Sequence, residues 1–392
     1  MSAHNIMIIG AGIAGLATAL AFARNGHEVD IVDQAHALSE VGAGLQISPN
    51  ASRVLIALGL GKALAQTMIC PQEITLVSGL SLRRITHVPC GAFAAARWGA
   101  PYGVMHRADL QAMLLDAVKA EPRCRLHLGH RTEAAAISSL HQRLGRPAPA
   151  LIVGADGVWS QTRRLVPGAM PPRFSGQVAW RFKMPVDGVG AILNTGNVTA
   201  FLGTQTHLVA YPIDSSTAIN MVAIARGADP GQTWAERENP TDRASLLDAF
   251  RDAHPDLLSI LRRAPQMTWW PLFEVPDGRW SNDAGTVLIG DAAHAMTPFA
   301  AQGAAMAIED GYELAQAVSD TAGDSVARAV SEFEIRRRIR IGRARKRAAF
   351  NRFAYHARGP VRLGRDLMLA LRSPESLASD LDWLYGYRAT GL

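Results

Sequence analysis

At 392 residues the chain exceeds one typical domain and can bury a large core, so two interleaved units or one α/β domain with an insert are expected. Hydrophobic residues at 48% and charged residues at 19% exclude a largely disordered chain. The net charge of +6 raises nucleic-acid or membrane binding, but much of the excess sits in residues 336–347. There the arginines alternate with Ile335, Ile339, Ile341 and Ala344 and no aromatic side chain interleaves them. That pattern reads as a long helix whose arginines are solvated or acid-paired and whose apolar stripe packs.

Cys70, Cys90 and Cys124 are odd in number and widely spaced, so neither a zinc site nor a disulfide framework is expected. No basic segment precedes the first apolar run, and no stretch approaches the roughly 18 apolar residues that span a bilayer. A cytoplasmic protein with no metal, no membrane and no nucleic-acid partner is expected, as a monomer or homodimer.

Residues 6–9 form a short apolar run suited to a buried parallel strand, followed by a glycine-rich turn. A helix from about residue 14 to 25 stops at Gly26, and residues 29–33 form the next strand, completing one βαβ unit. Residues 48–66 read as a helix broken by Gly59 and Gly61, residues 72–104 as strand-like and turn-rich, and 107–120 as an amphipathic helix. Between Arg131 and Leu151 a shortened or irregular connection is expected before the strand at 151–153.

Residues 175–285 change character, with β-rich runs at 178–184, 198–202, 207–212 and 218–224 separated by turns. One helical stretch, 243–263, is expected against that sheet. The α/β pattern then returns with a strand at 287–289 and an apolar helix from Gly303 to Val318. The fold class is therefore α/β: a Rossmann-like cofactor domain with an inserted, mainly antiparallel sheet. The boundaries are 1–71, 100–174 and 276–358 for the discontinuous first unit, 72–99 and 175–275 for the insert, and 359–392 for a helical tail.

Three motifs carry chemistry. Gly10, Gly12 and Gly15 in a strand-turn-helix context allow a tight turn, close approach of backbone to a pyrophosphate and close helix packing. Asp33, 18 residues past Gly15, can accept hydrogen bonds from ribose hydroxyls, which leaves NAD and FAD both open. Asp156 in the Asp156-Gly157 turn and Asp291 in the Gly290-Asp291 turn each follow a buried strand and can present a carboxylate to a sugar or ribityl hydroxyl.

With these motifs in order, the chain resembles the single-component, para-hydroxybenzoate hydroxylase-like flavin monooxygenases, nearest the salicylate hydroxylase and 6-hydroxynicotinate monooxygenase branch. The resemblance extends through Val41-Gly42-Ala43-Gly44-Leu45-Gln46, Pro49-Asn50, residues 106–110 and Gln302-Gly303 to Glu309-Asp310. It implies FAD of the glutathione-reductase-type binding mode, NADH or NADPH as a transient donor, O2, and hydroxylation of a small aromatic through a flavin hydroperoxide. It places Asp33 on the adenosine ribose, Gln46 and Arg107 on FAD, and Asp291 on the ribityl chain. Asp156 would support the pyrophosphate region and the transient donor. Ala14 and Gln34 complete the expected cofactor contacts, with Pro298, Gly303 and Ala304, where a helix start can stabilise negative charge on the flavin.

No second dinucleotide fingerprint exists, since neither Gly42-x-Gly44 nor Gly188-x-Gly190 has a third glycine. His207 and Tyr211, four apart on one presumed strand, project from one face and are the catalytic and substrate-binding candidates, with a purely structural role the competing reading. Phe299 stands where several relatives carry a histidine, giving the substrate pocket an apolar wall. Arg181 suits a substrate carboxylate or a structural ion pair, and His294 reads as structural. Trp269 and Trp270 read as domain-boundary packing. The same fold would also suit an epoxidase, a dearomatising oxygenase or a reductase acting on a larger metabolite. A non-enzymatic, nucleic-acid-associated flavoprotein would show no substrate-stimulated NAD(P)H oxidation.

Overall fold

The computed structural model describes residues 3–38, 44–229, 240–320 and 326–392, so Val41, Gly42 and Ala43 of the second glycine-rich stretch lie outside the described residues. Buried apolar runs build a six-stranded sheet in the order Ser281–Asn282, Thr286–Leu288, Leu151–Gly154, Asn5–Ile9, Glu28–Val32 and Cys124–His127. All its pairings are parallel except that of Ser281–Asn282, at the edge. Helices Ile13–Arg24, Arg107–Ala120 and Gly303–Ser319 bury Leu16, Leu20, Leu110, Leu114, Ile308 and Leu314 in the core beside it. Parallel pairing requires such crossovers, which is why strand and helix alternate along the chain.

A second sheet of seven strands runs Thr268–Glu274, Arg173–Pro185, Ala218–Arg226, His207–Ile213, Val198–Leu202, Glu73–Ser78 and Arg84–Pro89. Only Val198–Leu202 and Glu73–Ser78 pair in parallel. Alternation along each strand gives it two faces. The outer face packs Trp180, Phe182, Leu208 and Met221 under Leu246, Phe250, Leu257 and Ile260. The inner face packs Ala179, Ile224 and Leu272 against Phe299 and Ala348 of the first unit. An antiparallel pair of Gly44–Ile47 with Gly103–His106 runs alongside.

Four local expectations are corrected. The alanine-rich segment Gly91–Trp98 is a helix inside a stretch read as strand and turn, because alanine favours helix more than its neighbours favour strand. The helical stretch at 243–263 is two helices, Pro240–Ala249 and Pro255–Arg263, since Pro255 is accommodated in a first turn and not in a helix interior. The long arginine-bearing helix spans Val326–Tyr355, but Ile335 and Ile339 face outward at 60% and 66% exposure; Phe333, Ile341 and Ala344 form the buried side. Residues 48–66 kink at Gly59, whose φ of 69° suits glycine, while Gly61 stays helical.

The connection after Arg131 is two helical turns, Ala134–Ile137 and Leu140–Arg143, which bury Ile137 and Leu140 against Met7, Ile9 and Val32. The tail helices Gly359–Ala370 and Pro374–Ser379 lie along strand Arg84–Pro89 of the seven-stranded sheet, and the last residues reach helices Gly303–Ser319 and Gly91–Trp98. There the Tyr387 hydroxyl donates to Glu313 at 2.6 Å, and Trp98 packs edge-on against Tyr385.

Candidate active site

The register Ile9↔Val32, Ile9↔Gly154 and Leu288↔Gly154 aligns the carboxyl ends of four parallel strands. The loops carrying Gly10, Asp33, Asp156 and Asp291 therefore emerge side by side. Gly10 sits at φ 104°, and a Cβ there would stand 2.5 Å from the Ala155 carbonyl oxygen. A Cβ on Gly15 would stand 1.9 Å from the Gly10 carbonyl oxygen, so both glycines are required by packing. Gly12 opens onto free space. It starts helix Ile13–Arg24, which has no side-chain cap and no acidic residue in its first turn, leaving its N–H groups for an anion near Ala14.

Asp33 accepts from the Ala11 N–H at 2.6 Å and the Ala35 N–H at 2.8 Å, bracing the loop while retaining lone pairs for a ribose hydroxyl. Gln34 is exposed beside it. Gln46, on strand Gly44–Ile47, accepts from the Tyr102 hydroxyl at 2.7 Å. Arg107 opens the helix directly after the partner strand, so the Gly44↔His106 pairing holds Gln46 and Arg107 in one neighbourhood.

Asp156 is committed to its own loop. It accepts from the Ser160 hydroxyl at 2.5 Å, the Gln161 and Thr162 N–H groups at 2.8 and 3.0 Å, and the Thr162 hydroxyl at 3.0 Å. That loop places Arg163, which donates to the carbonyls of Val158 at 2.8 Å, Ala292 at 2.9 Å and Asp291 at 3.2 Å. Arg163 thus grips the backbone of the Gly-Asp turn, while the Asp291 side chain stands exposed at the start of Asp291–His294. Sequence reasoning gave Arg163 no role; its fixed offset from Asp156 was the available signal.

Pro298–Ala300 forms a short turn, and Ala301 at φ 50° redirects the chain into Gly303–Ser319. This helix also lacks a side-chain cap and first-turn acid, and a Cβ on Gly303 would meet nothing within 4 Å. A second free helix start thus opens at Gly303 and Ala304.

Behind it lies a buried ionic framework. Gln302 bonds Ser48 and Asn50, and the Asn50 amide donates to Glu309 at 2.6 Å. Arg337 spans Glu309 and Asp310 at 2.7 Å each, and Arg340 adds two bonds of 2.6 Å to Glu309. Asp310 also accepts from the Gly290 N–H at 2.9 Å and meets His294 at 2.5 Å, so His294 braces the Gly-Asp turn from behind. Burial pushes both carboxyls up, but the arginines, with His294 at Asp310, outweigh it and hold both below the usual carboxylate range.

On the inner face of the antiparallel sheet, direct partners point the same way. His207 pairs with Ile224, Val209 with Val222 and Tyr211 with Asn220; Ile224 pairs with Ala179, and Val222 with Arg181. His207, Tyr211 and Arg181 therefore share this face. His207 is 2% exposed, packs its ring 5.0 Å from Phe299, and joins its Nδ1 to His356 Nε2 at 2.9 Å. Burial, then the neighbouring His356, pushes the His207 imidazole well below its usual value. Tyr211 is buried, which pushes its phenol up, and its ring lies against Gly44. The Arg181 guanidinium lies 5.7 Å from the Trp270 ring centroid, and Trp270 packs in the same cluster as Phe299.

Among the described residues no group of three His, Cys, Asp or Glu could hold a metal, and no helix is long and apolar enough to cross a membrane. Two uncapped helix starts and the exposed Asp291 fit the phosphates and hydroxyls of a dinucleotide cofactor. These features are those of a dinucleotide-binding protein. The chain belongs to the FAD binding domain family, matched over residues 3–344. It is 31% identical over 398 residues to 3-hydroxybenzoate 6-hydroxylase 1 of Aquipseudomonas alcaligenes, covering 98% of each chain. It is 30% identical over 349 residues to 6-hydroxynicotinate 3-monooxygenase of Bordetella bronchiseptica, covering 87% of this chain and 89% of that one. A salicylate hydroxylase substrate complex shares the fold at a TM-score of 0.80 and 21% identity, covering 99% of this chain and 96% of that one. The chain is an FAD-dependent monooxygenase using NADH or NADPH and O2.

Proposed function

We propose that this monooxygenase hydroxylates the ring of a small aromatic or heteroaromatic acid carrying a phenol-type hydroxyl, at the inner face of the seven-stranded sheet. The relatives named for 3-hydroxybenzoate and 6-hydroxynicotinate support that substrate class. The observation that carries the reading is the buried His207, neutral near pH 7, on one face with Tyr211 and against Phe299.

FAD would be held by Gly10, Gly12, Ala14, Gly15, Asp33, Gln34, Gln46, Arg107, Asp291, Pro298, Gly303 and Ala304, and when bound supplies hydride acceptance from NAD(P)H and activation of O2. Asp156 acts through its loop and Arg163. The N–H groups at the Gly303 helix start stabilise negative charge on the cofactor. With Nδ1 engaged by His356, His207 has Nε2 left to accept the phenol proton, and a phenolate ring is the better nucleophile. Tyr211 orients the hydroxyl, Arg181 pairs with the carboxylate, and Phe299 excludes water.

The test is a panel of hydroxylated benzoates and pyridine carboxylates, scored by stimulated NAD(P)H oxidation and hydroxylated product. At least one member raises oxidation above the uncoupled rate, and His207→Gln lowers kcat and alters its pH profile. Stimulation without hydroxylated product from any member contradicts the proposal.

A further inference from the structure

A cleft of about 720 Å³ opens at one end of the same inner face, where the Ala295, Met296 and Thr297 loop meets the last turns of helix Val326–Tyr355. Its lining includes two carboxylates, Glu274 and Asp277, beside an apolar and a cationic part. Ala348, Ala349, Phe353 and Val361 supply an apolar wall, while Arg226, Arg352 and Arg358 supply guanidinium groups. Among the described residues these three arginines have no carboxylate partner, unlike the other two arginines of the cleft: Arg173 binds Glu274, and Arg345 lies 3.9 Å from Asp277. Three cations left without counter-ions around a partly apolar cleft match a planar ring bearing a carboxylate.

The same cleft is lined by His356, the hydrogen-bond partner of His207. The groups facing His356 are His207 and Arg226 from the sheet, Arg352 from the long helix, and the Phe299 ring. Burial, then Arg352 and Arg226, pushes the His356 imidazole down to about 4. An anion beside those two arginines offsets the charges that repel a proton from His356.

We propose that this cleft binds an aromatic carboxylate through Arg226, Arg352 and Arg358, apart from the ring-hydroxylation face, and that its occupancy lets His356 and its partner His207 take up a proton. This rests on the proposed role of His207 for its catalytic consequence, but binding itself does not. When the cleft is filled, the phenol proton taken at His207 Nε2 is matched by release of the Nδ1 proton to His356 Nε2. The pair then carries the proton from the buried face towards cleft water, and no net oxidation is involved.

The experiment uses the FAD-loaded enzyme with labelled histidine, following the His356 ring by NMR across pH with and without benzoate, and no NAD(P)H. Benzoate raises the His356 midpoint by about one unit or more. In Arg226→Gln/Arg352→Gln the midpoint is already raised without ligand, and benzoate binds the cleft roughly tenfold more weakly. The Arg226→Lys/Arg352→Lys variant keeps the charge and the response, provided the FAD absorbance of each variant matches wild type. Benzoate binding that leaves His356 unmoved, or a shift that persists in the double glutamine variant, overturns the proposal. So does displacement of benzoate by ADP-ribose or inorganic phosphate at lower concentration, which assigns the cleft to a phosphate ligand. Failure of hydroxylation in the substrate panel leaves these ring measurements intact, so the two readings fail separately.

Discussion

Two groups of arginines meet in and just after the same long helix, and they are treated oppositely. Arg337 and Arg340, at 1% and 7% exposure, are locked to Glu309 and Asp310 behind the Gly303 helix start. Arg352 and Arg358, twelve and more residues on, border a cleft with no carboxylate partner among the described residues. Charge taken out of water must be paired, and the first group obeys that rule with nearly every donor used. The second group keeps its solvent and so remains free to bind. Arginines of one helix thus serve the framework at its middle and, in the proposal above, recognition at and just past its end.

The largest effect falls on the first group. Arg337→Met leaves two buried carboxylates short of a counter-charge, and chemical denaturation of the holoenzyme should show a loss of roughly 3–5 kcal/mol. A loss below about 1 kcal/mol would mean that the framework is not held by these pairs. Acid should expose the same dependence. Glu309 and Asp310 are held below their unfolded values, so their contribution is present above about pH 4 and disappears as pH falls through the folded values. The denaturation midpoint of wild type should fall with acid, while that of Arg337→Met changes less over the same range.

An intermediate effect is expected one step nearer the cofactor. Arg163→Ala removes two charged hydrogen bonds from the Asp156 loop to the Gly-Asp turn and one within the loop, and should weaken FAD binding about thirtyfold, roughly 2 kcal/mol, read as flavin fluorescence released on dilution. Asp156→Asn should act in the same direction through the loop it shapes. The smallest effect belongs to the second group: Arg352→Gln should leave folding stability within about 0.5 kcal/mol of wild type. A large loss there would erase the distinction between the two groups.

The convergence of the Gly10, Asp33, Asp156 and Asp291 loops at one sheet edge was legible because its signals are local. Gly10, Gly12 and Gly15 lie within one turn, and Asp33, Asp156 and Asp291 each end a strand, so a short motif names the residue and its place. Arg163 stood in plain view beside Asp156, but its work is to hold a backbone 128 residues away, which no local pattern announces. His356 is separated from His207 by 149 residues and meets it only because the long helix ends over the sheet. The free arginines are drawn from a strand end, a helix end and a helix cap, so their convergence belongs to the fold and not to any motif. Ile335 and Ile339 show the converse, since these two of the four apolar residues read as a stripe turn outward while Ile341 and Ala344 are buried.

The most direct measurement of the central claim is turnover of a stimulating aromatic acid under isotopically labelled O2 with NAD(P)H, followed by product mass. The account predicts one labelled oxygen atom on the ring of each product molecule, at a rate reduced in His207→Gln. A product whose added oxygen comes from water, or a reduced product with none, would contradict it.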